Sequence, residues 1–130
     1  MTGLSHIGIA TTDIEEAAKT WLLLGFQFVH TTEVPDQKVK VAKLRYGGLI
    51  VELLEPTSDD SPIKGFLDKK GPGIHHLAIE VDDMEHKIDE FLNSGIKMID
   101  KKPRIGAAGK PIAFIHPSST GGVLVELEQD

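Results

Sequence analysis

His6-Ile7-Gly8-Ile9-Ala10 returns seventy positions later as His76-Leu77-Ala78-Ile79-Glu80, and this recurrence decides the fold. The match continues outward at the same offset and without a gap. Thr12-Asp13-Ile14-Glu15 falls on Asp82-Asp83-Met84-Glu85, Trp21-Leu22 on Phe91-Leu92, and Gly25-Phe26 on Gly95-Ile96. Residue identity is weak, but residue type agrees in order, which is the mark of an internal repeat. Each copy opens with alternating apolar positions, Ile7 and Ile9 or Leu77, Ile79 and Val81, as a half-buried strand requires. A helix follows. Thr12 with Glu15, and Asp82 with Glu85, have N-cap and N3 spacing. Ile14, Ala18, Trp21 and Leu22, like Met84, Ile88, Phe91 and Leu92, then fall on one helical stripe. Gly25 and Gly95 stand where a helix end needs a left-handed residue.

Beyond each helix the period changes to that of strands. The first copy reads as strands over 27–34, 38–46 and 49–55, with Gly47-Gly48 as a hairpin turn. The second reads as a short strand near 97–99, then 112–116 and 123–128, with Ser118–Gly122 as the last turn. Ser61-Pro62 has the form of an N-cap and first helical residue for a short helix ending before Gly71-Pro72-Gly73. The expected fold is α+β. Two βαβββ modules, about 4–55 and 73–128, are joined by a helical linker at about 61–71 and pair into a shared, partly open mixed β-sheet cleft with helices outside. At 130 residues the chain reads as one domain.

Side chains alternate along a strand, so each polar residue can be assigned a face. His6 shares its face with Leu4, Gly8 and Ala10, and His76 shares its own with Ile74, Ala78 and Glu80. Both histidines therefore point away from the helix. Each module also carries a carboxylate inside its last apolar strand, Glu52 in Leu49–Leu54 and Glu126 in Val123–Leu127. Such a group costs several kcal/mol to bury unless it is paired or binds a cation. Taken singly, each reads most simply as a hydrogen-bonded strand histidine or a solvated edge carboxylate. As a repeat-related set, His6, Glu52, His76 and Glu126 point to one divalent metal with two ligands from each module, leaving octahedral positions for substrate oxygens.

The remaining histidines read differently. His75 faces opposite His76 as a packed or hydrogen-bonded residue, while His30 and His86 read as surface residues. His116, at a strand end before Pro117, either orients substrate or serves a structural role there. Lys110 lies in a basic, glycine-containing loop, Pro103–Pro111, which either takes an anionic ligand tail or is simply solvated.

Composition narrows the classes. The net charge of -6 is spread evenly along the chain and leaves no basic footprint for nucleic acid. With no cysteine there is no disulfide, thiolate site or cysteine nucleophile. No apolar run approaches the ~20 residues of a membrane helix. Met1-Thr2-Gly3-Leu4-Ser5-His6 shows no leader pattern, so the expected compartment is the cytoplasm, or the mitochondrial matrix if a transit peptide has been removed.

Paired βαβββ units with this two-His, two-Glu set resemble the vicinal oxygen chelate (glyoxalase/bleomycin resistance/dioxygenase) superfamily and, within it, the methylmalonyl-CoA epimerase family. The resemblance runs nearly the whole length. It rests on His6–Ala10, Val51–Pro56, Asp60–Ile63, Gly73–His76, Pro103–Ala107 and His116-Pro117. Gly121-Gly122-Val123-Leu124-Val125-Glu126-Leu127 is the most specific segment. The resemblance implies metal ligands at His6, Glu52, His76 and Glu126, where family members have Gln or Glu at the Glu52 position. It also implies an isomerase that interconverts (R)- and (S)-methylmalonyl-CoA through an enolate, in propionate metabolism; inversion needs proton transfer on two faces, which makes Glu126 one candidate base and Glu52, or a water it orients, the other. Some relatives place a further base in the strand after the Pro-x-Gln segment, at a position read here as Lys40. The implied cofactor is one divalent ion, Co2+ first, with Mn2+, Ni2+, Zn2+ or Mg2+ also compatible. The implied partners are an acyl-CoA substrate and a second copy in a homodimer, with neither nucleic acid nor membrane. Three other readings remain: a glyoxalase I-type lyase acting on a glutathione hemithioacetal, a metal-free binding module of the same fold, and a purely structural or interaction domain.

Overall fold

The structure, a computed structural model, describes residues 3–130; Met1 and Thr2, which belong to the segment read above for a leader, lie outside the described residues. It contains eight strands and three α-helices among the described residues, arranged as two βαβββ modules, and the fold is α+β. The chain divides into two compact units. One is His6–His75, and the other is residues 3–5 with His76–Asp130.

The first unit is built from β1 (Leu4–Ala10) from His6 onward, α1 (Ile14–Leu23), β2 (Gln27–Val34), β3 (Val39–Tyr46), β4 (Leu49–Pro56) and α2 (Pro62–Lys70). Its strands lie in the order β2-β3-β4-β1. β1 runs parallel to β4, and the other pairs are antiparallel. One sheet face packs on α1: Ile14, Ala17, Ala18 and Trp21 cover Ala42, Leu44, Val51 and Leu53. Leu22, expected on that stripe, is instead exposed. The other face is closed at one end by α2, whose Ile63, Phe66 and Leu67 pack on Ala10, Val39, Val41 and Leu54.

The second unit contains β5 (Gly73–Val81), α3 (Met84–Asn93), β6 (Arg104–Ile105), β7 (Pro111–Ile115) and β8 (Val125–Gln129), with the order β6-β7-β8-β5. β5 and β8 are parallel, while β7 is antiparallel to both β6 and β8. Met84, Ile88 and Phe91 of α3 pack on Val81, Ala113, Ile115 and Leu127. Leu92 of the predicted stripe lies at the rim, 36% exposed.

The helix starts fall one residue later than the sequence suggests. Asp13 and Asp83 are the caps, their carboxylates accepting from the backbone N–H of Glu16 and His86. The preceding Thr11 hydroxyl accepts from Asp13 N–H, a local turn that carries the chain one residue further before the helix begins. Ser61 caps α2 as expected. Gly25 and Gly95 take positive φ, +109° and +86°. At Gly25 a Cβ would also lie 2.9 Å from the Tyr46 ring, so the position excludes a side chain on two counts.

The strand expected near 97–99 is reduced to a single bridge between Met98 and Ile115. The cause is Asp100, whose carboxylate accepts from Phe114 N–H at 2.9 Å in place of a ladder carbonyl. The loop expected at Pro103–Pro111 instead contributes β6, in which Arg104 pairs with Ile112.

Candidate functional site

The site residues fall where strand alternation sends them. In the first unit Gly8 sits in parallel register with Glu52, which brings His6 Nε2 to 3.4 Å from Glu52 Oε1. In the second unit Ala78 sits in parallel register with Glu126, and His76 Nε2 lies 3.4 Å from Glu126 Oε1. The two units therefore present the same pair through the same atoms. His6, His76 and Glu126 are buried, and the Glu52 side chain is 15% exposed.

The donor geometry suits a cation. At 3.4 Å each N–O separation exceeds a well-formed hydrogen bond. It matches the spacing of two neighbouring ligands that each sit about 2.0–2.2 Å from a shared ion, roughly 3.0–3.4 Å apart. Imidazole nitrogen and carboxylate oxygen are also the donors that first-row divalent ions accept.

The other candidates have different surroundings. Lys110 Nζ is held by Asp130 at 3.0 Å, and that hydrogen bond raises the lysine pKa above its ordinary value. Asp130 also hydrogen-bonds Glu80, which lifts the Glu80 carboxyl upward while Lys110 draws Asp130 down. Lys110 thus belongs to a charged cluster at the far end of β8. His116 Nδ1 accepts from Ser118 N–H at 3.0 Å and caps the short turn Pro117–Ser119. His75 packs edge-on to Phe66, with ring centroids 5.0 Å apart. Burial first, and then the Lys70 charge, push its pKa down. His30 and His86 are exposed, as read from the sequence.

Lys40 pairs with Glu55 on one side and Glu33 on the other, on the sheet face opposite Glu52. The residue of β3 directly across from Glu52 is Lys43. Sequence reasoning passed over it. A count outward from the Gly47-Gly48 turn would have found it, because Tyr46 pairs with Leu49 and the register follows. Phe114 was also missed, whereas Arg104 lay inside the Pro103–Pro111 loop read as a possible holder of an anionic tail, without being singled out. The Phe114 ring stands edge-on to His76 at 5.9 Å, and the Arg104 guanidinium lies 5.4 Å from the Phe114 ring centre.

Known proteins resemble this chain in sequence and in fold. The profile of the glyoxalase/bleomycin resistance protein/dioxygenase superfamily matches residues 5–114. An uncharacterized protein of Bacillus subtilis, YqjC, is 44% identical over 128 residues, covering 98% of this chain and 91% of that protein. The mitochondrial methylmalonyl-CoA epimerase of Homo sapiens is 42% identical over 128 residues, covering 97% of this chain and 73% of that protein. A crystallised variant of Streptomyces coelicolor methylmalonyl-CoA epimerase in complex with 2-nitronate-propionyl-CoA superposes with a TM-score of 0.92. It is 34% identical, and the match covers 100% of this chain and 95% of that one.

The chain belongs to the glyoxalase/bleomycin resistance protein/dioxygenase superfamily and, within it, to the methylmalonyl-CoA epimerase family. It is an enzyme of the isomerase class. Among the described residues no helix is long and apolar enough to cross a membrane.

Proposed function

We propose that this chain is one functional domain that interconverts the (R) and (S) forms of methylmalonyl-CoA in a metal-dependent reaction, as a homodimer acting in propionate metabolism. The observation that carries the reading is the repeated His–Glu pair, 3.4 Å in each unit. His6, Glu52, His76 and Glu126 would together hold one divalent ion, Co2+ or another first-row ion, or Mg2+. When bound, such an ion supplies a Lewis acid that favours negative charge on the thioester oxygen.

The chain's own residues then handle the proton. The hydrogen on the carbon between thioester and carboxylate is weakly acidic, and inversion needs its removal on one face and its return on the other. Glu126 takes the proton at a carboxylate oxygen. Glu52, or a water it orients, delivers one to the opposite face. A carboxylate that holds a cation is a weaker base, so whichever of the pair accepts the proton would need an oxygen free of the ion. The 2-nitronate-propionyl-CoA held by the S. coelicolor relative is consistent with this scheme, since a nitronate is a planar anion on the carbon beside the thioester. The compartment that suits this role is the cytoplasm, or a mitochondrial matrix if a transit peptide has been removed.

The test is proton NMR of racemic methylmalonyl-CoA in D2O with the purified protein. The α-proton signal is expected to vanish rapidly, to persist after chelation, and to vanish again once a divalent ion is restored. Folded, metal-loaded protein that leaves the signal intact would overturn the epimerase reading. Glutathione hemithioacetals would then be the next substrates to assay.

A further inference from the structure

Arg104 is set on a rigid hairpin. Gly106 N–H donates to the Lys110 carbonyl and Gly109 N–H to the Gly106 carbonyl, closing the loop between β6 and β7. Gly106 lies so close to Ile112 that a Cβ would come within 2.8 Å of its Cγ2. Across the sheet Arg104 pairs with Ile112, and Phe114 pairs with Glu126, so Arg104, Phe114 and Glu126 share the face that carries His76.

Asp100 fixes the arrangement from behind. One of its oxygens accepts from Phe114 N–H at 2.9 Å, and the other lies 3.3 Å from Arg104 Nε. The guanidinium is thereby held over the Phe114 ring through its inner nitrogen. Its terminal nitrogens form the edge that binds an oxyanion in bidentate fashion. The Arg104 side chain is 46% exposed, whereas that of Asp100 is 17% exposed. Lys101 and Lys102 are exposed beside it, so residues 101–104 hold three cations within a chain of net charge -6.

We infer that Arg104 binds a phosphate of the coenzyme A portion of the substrate, and that Phe114 is the surface crossed by the pantetheine arm; this rests on the epimerase reading above. The distance decides which anion is read. Arg104 stands two ring contacts away from His76. The carboxylate of a methylmalonyl thioester is attached to the same carbon as the thioester carbonyl, so it stays at the His–Glu pairs. The phosphates lie at the end of a long arm and are the anions that reach a cation set back from the reacting carbon. An acidic enzyme also needs a local positive anchor for a polyanionic substrate.

The test compares methylmalonyl-CoA, its 3′-dephospho analogue and methylmalonyl-pantetheine as substrates for the wild type, R104A and R104K. R104A should raise KM for methylmalonyl-CoA about 10- to 100-fold, the worth of one charge-assisted contact, with kcat retained. KM for methylmalonyl-pantetheine should not move, and R104K should recover part of the loss. If the effect persists with the dephospho analogue the pyrophosphate is the group read, and if it vanishes the 3′-phosphate is. Equal losses on the CoA and pantetheine thioesters, or an unchanged KM for the CoA thioester, would overturn the inference. Calorimetric binding of coenzyme A itself keeps this separate from the epimerase reading. Wild type inactive on every thioester would sink that reading alone, whereas coenzyme A binding R104A as tightly as wild type would sink this one.

Discussion

The two units carry the same pair at the same spacing but finish their sheets differently. In the first unit β2, β3 and β4 are eight residues each, and α2 closes one end of the histidine face through Ile63, Phe66 and Leu67. In the second unit β7 and β8 are five residues each and β6 is two. Among the described residues that unit's only α-helix is α3, which packs on the face away from His76. Its histidine face carries Phe114, Arg104 and the buried Glu128, which accepts from the Ser5 hydroxyl at 2.7 Å. The repeated frame fixes the pair, and the unrepeated parts make the halves chemically unequal. The substrate proposed above, with its reacting carbon at one end and a long anionic tail, would make use of that inequality.

The largest expected effect tests whether the inequality reaches the chemistry. Glu126 has a side chain only 9% exposed and the Phe114 ring across the strand, whereas Glu52 has Lys43 across from it. Glu126→Gln is expected to lower kcat by about 10²–10⁴-fold, the usual worth of a general acid or base. Glu52→Gln should cost roughly tenfold less, because a water it orients can stand in. Both constants would be measured on protein of known metal content. Equal losses would mean that the two halves act as symmetric partners and that their different surroundings are incidental.

Much of this was legible in the sequence because a repeat read at constant offset needs no knowledge of tertiary contacts. It placed the helices to within a residue, put the histidines on the face away from α1 and α3, and marked Glu52 and Glu126. What stayed hidden depends on pairing across chain distance. The periodicity of Pro62–Lys70 predicts a helix, but nothing local says that Ile63 and Leu67 settle on Val39 and Val41 rather than outside. Asp100 erased an expected strand by putting a side-chain acceptor where a carbonyl was anticipated. The face of Lys40 was obtainable, since a two-residue turn at Gly47-Gly48 sets the parity of β3 against β4.

A smaller effect concerns a device that both units share but build from different residues. Glu55 Oε1 accepts from Ile14 N–H at 2.9 Å, and Gln129 Oε1 accepts from Met84 N–H at 2.7 Å. Each side chain lies three residues beyond the carboxylate of its pair and ties that strand to the start of the unit's helix. Glu55→Ala and Gln129→Ala should each cost about 0.5–2 kcal/mol in urea denaturation, as lost helix-start caps do. Glu55→Ala should be the more costly, because a carboxylate also favours the positive helix end. Glu55→Gln, which copies the second unit, should stay within about 0.5 kcal/mol of wild type. A larger loss in Gln129→Ala than in Glu55→Ala would show that charge does not rank the two hooks.

The smallest effect probes a contact confined to the first unit. Lys38 stands in left-handed backbone, φ 56°, at the end of the turn Pro35–Gln37, and its ammonium hydrogen-bonds Asp60 in the connection from β4 to α2. That bond first, and the Ser58 hydroxyl second, hold the Asp60 carboxyl down to about 2, from an ordinary 3.8. A carboxylate whose folded pKa is depressed favours the folded state fully above its unfolded pKa. The contribution then drains away as pH falls from about 4 through 2, and is gone only below the folded pKa, where both states are protonated. The thermal midpoint of Asp60→Asn should therefore fall slightly below that of wild type near neutral pH, with the gap narrowing as pH falls from about 4 to 2. Because both side chains are exposed, added salt should shrink the neutral-pH gap. Parallel midpoint curves between about pH 4 and 2 would mean that the clasp does not hold in solution, and that α2 rests on its apolar contacts with Val39, Val41 and Leu54 alone.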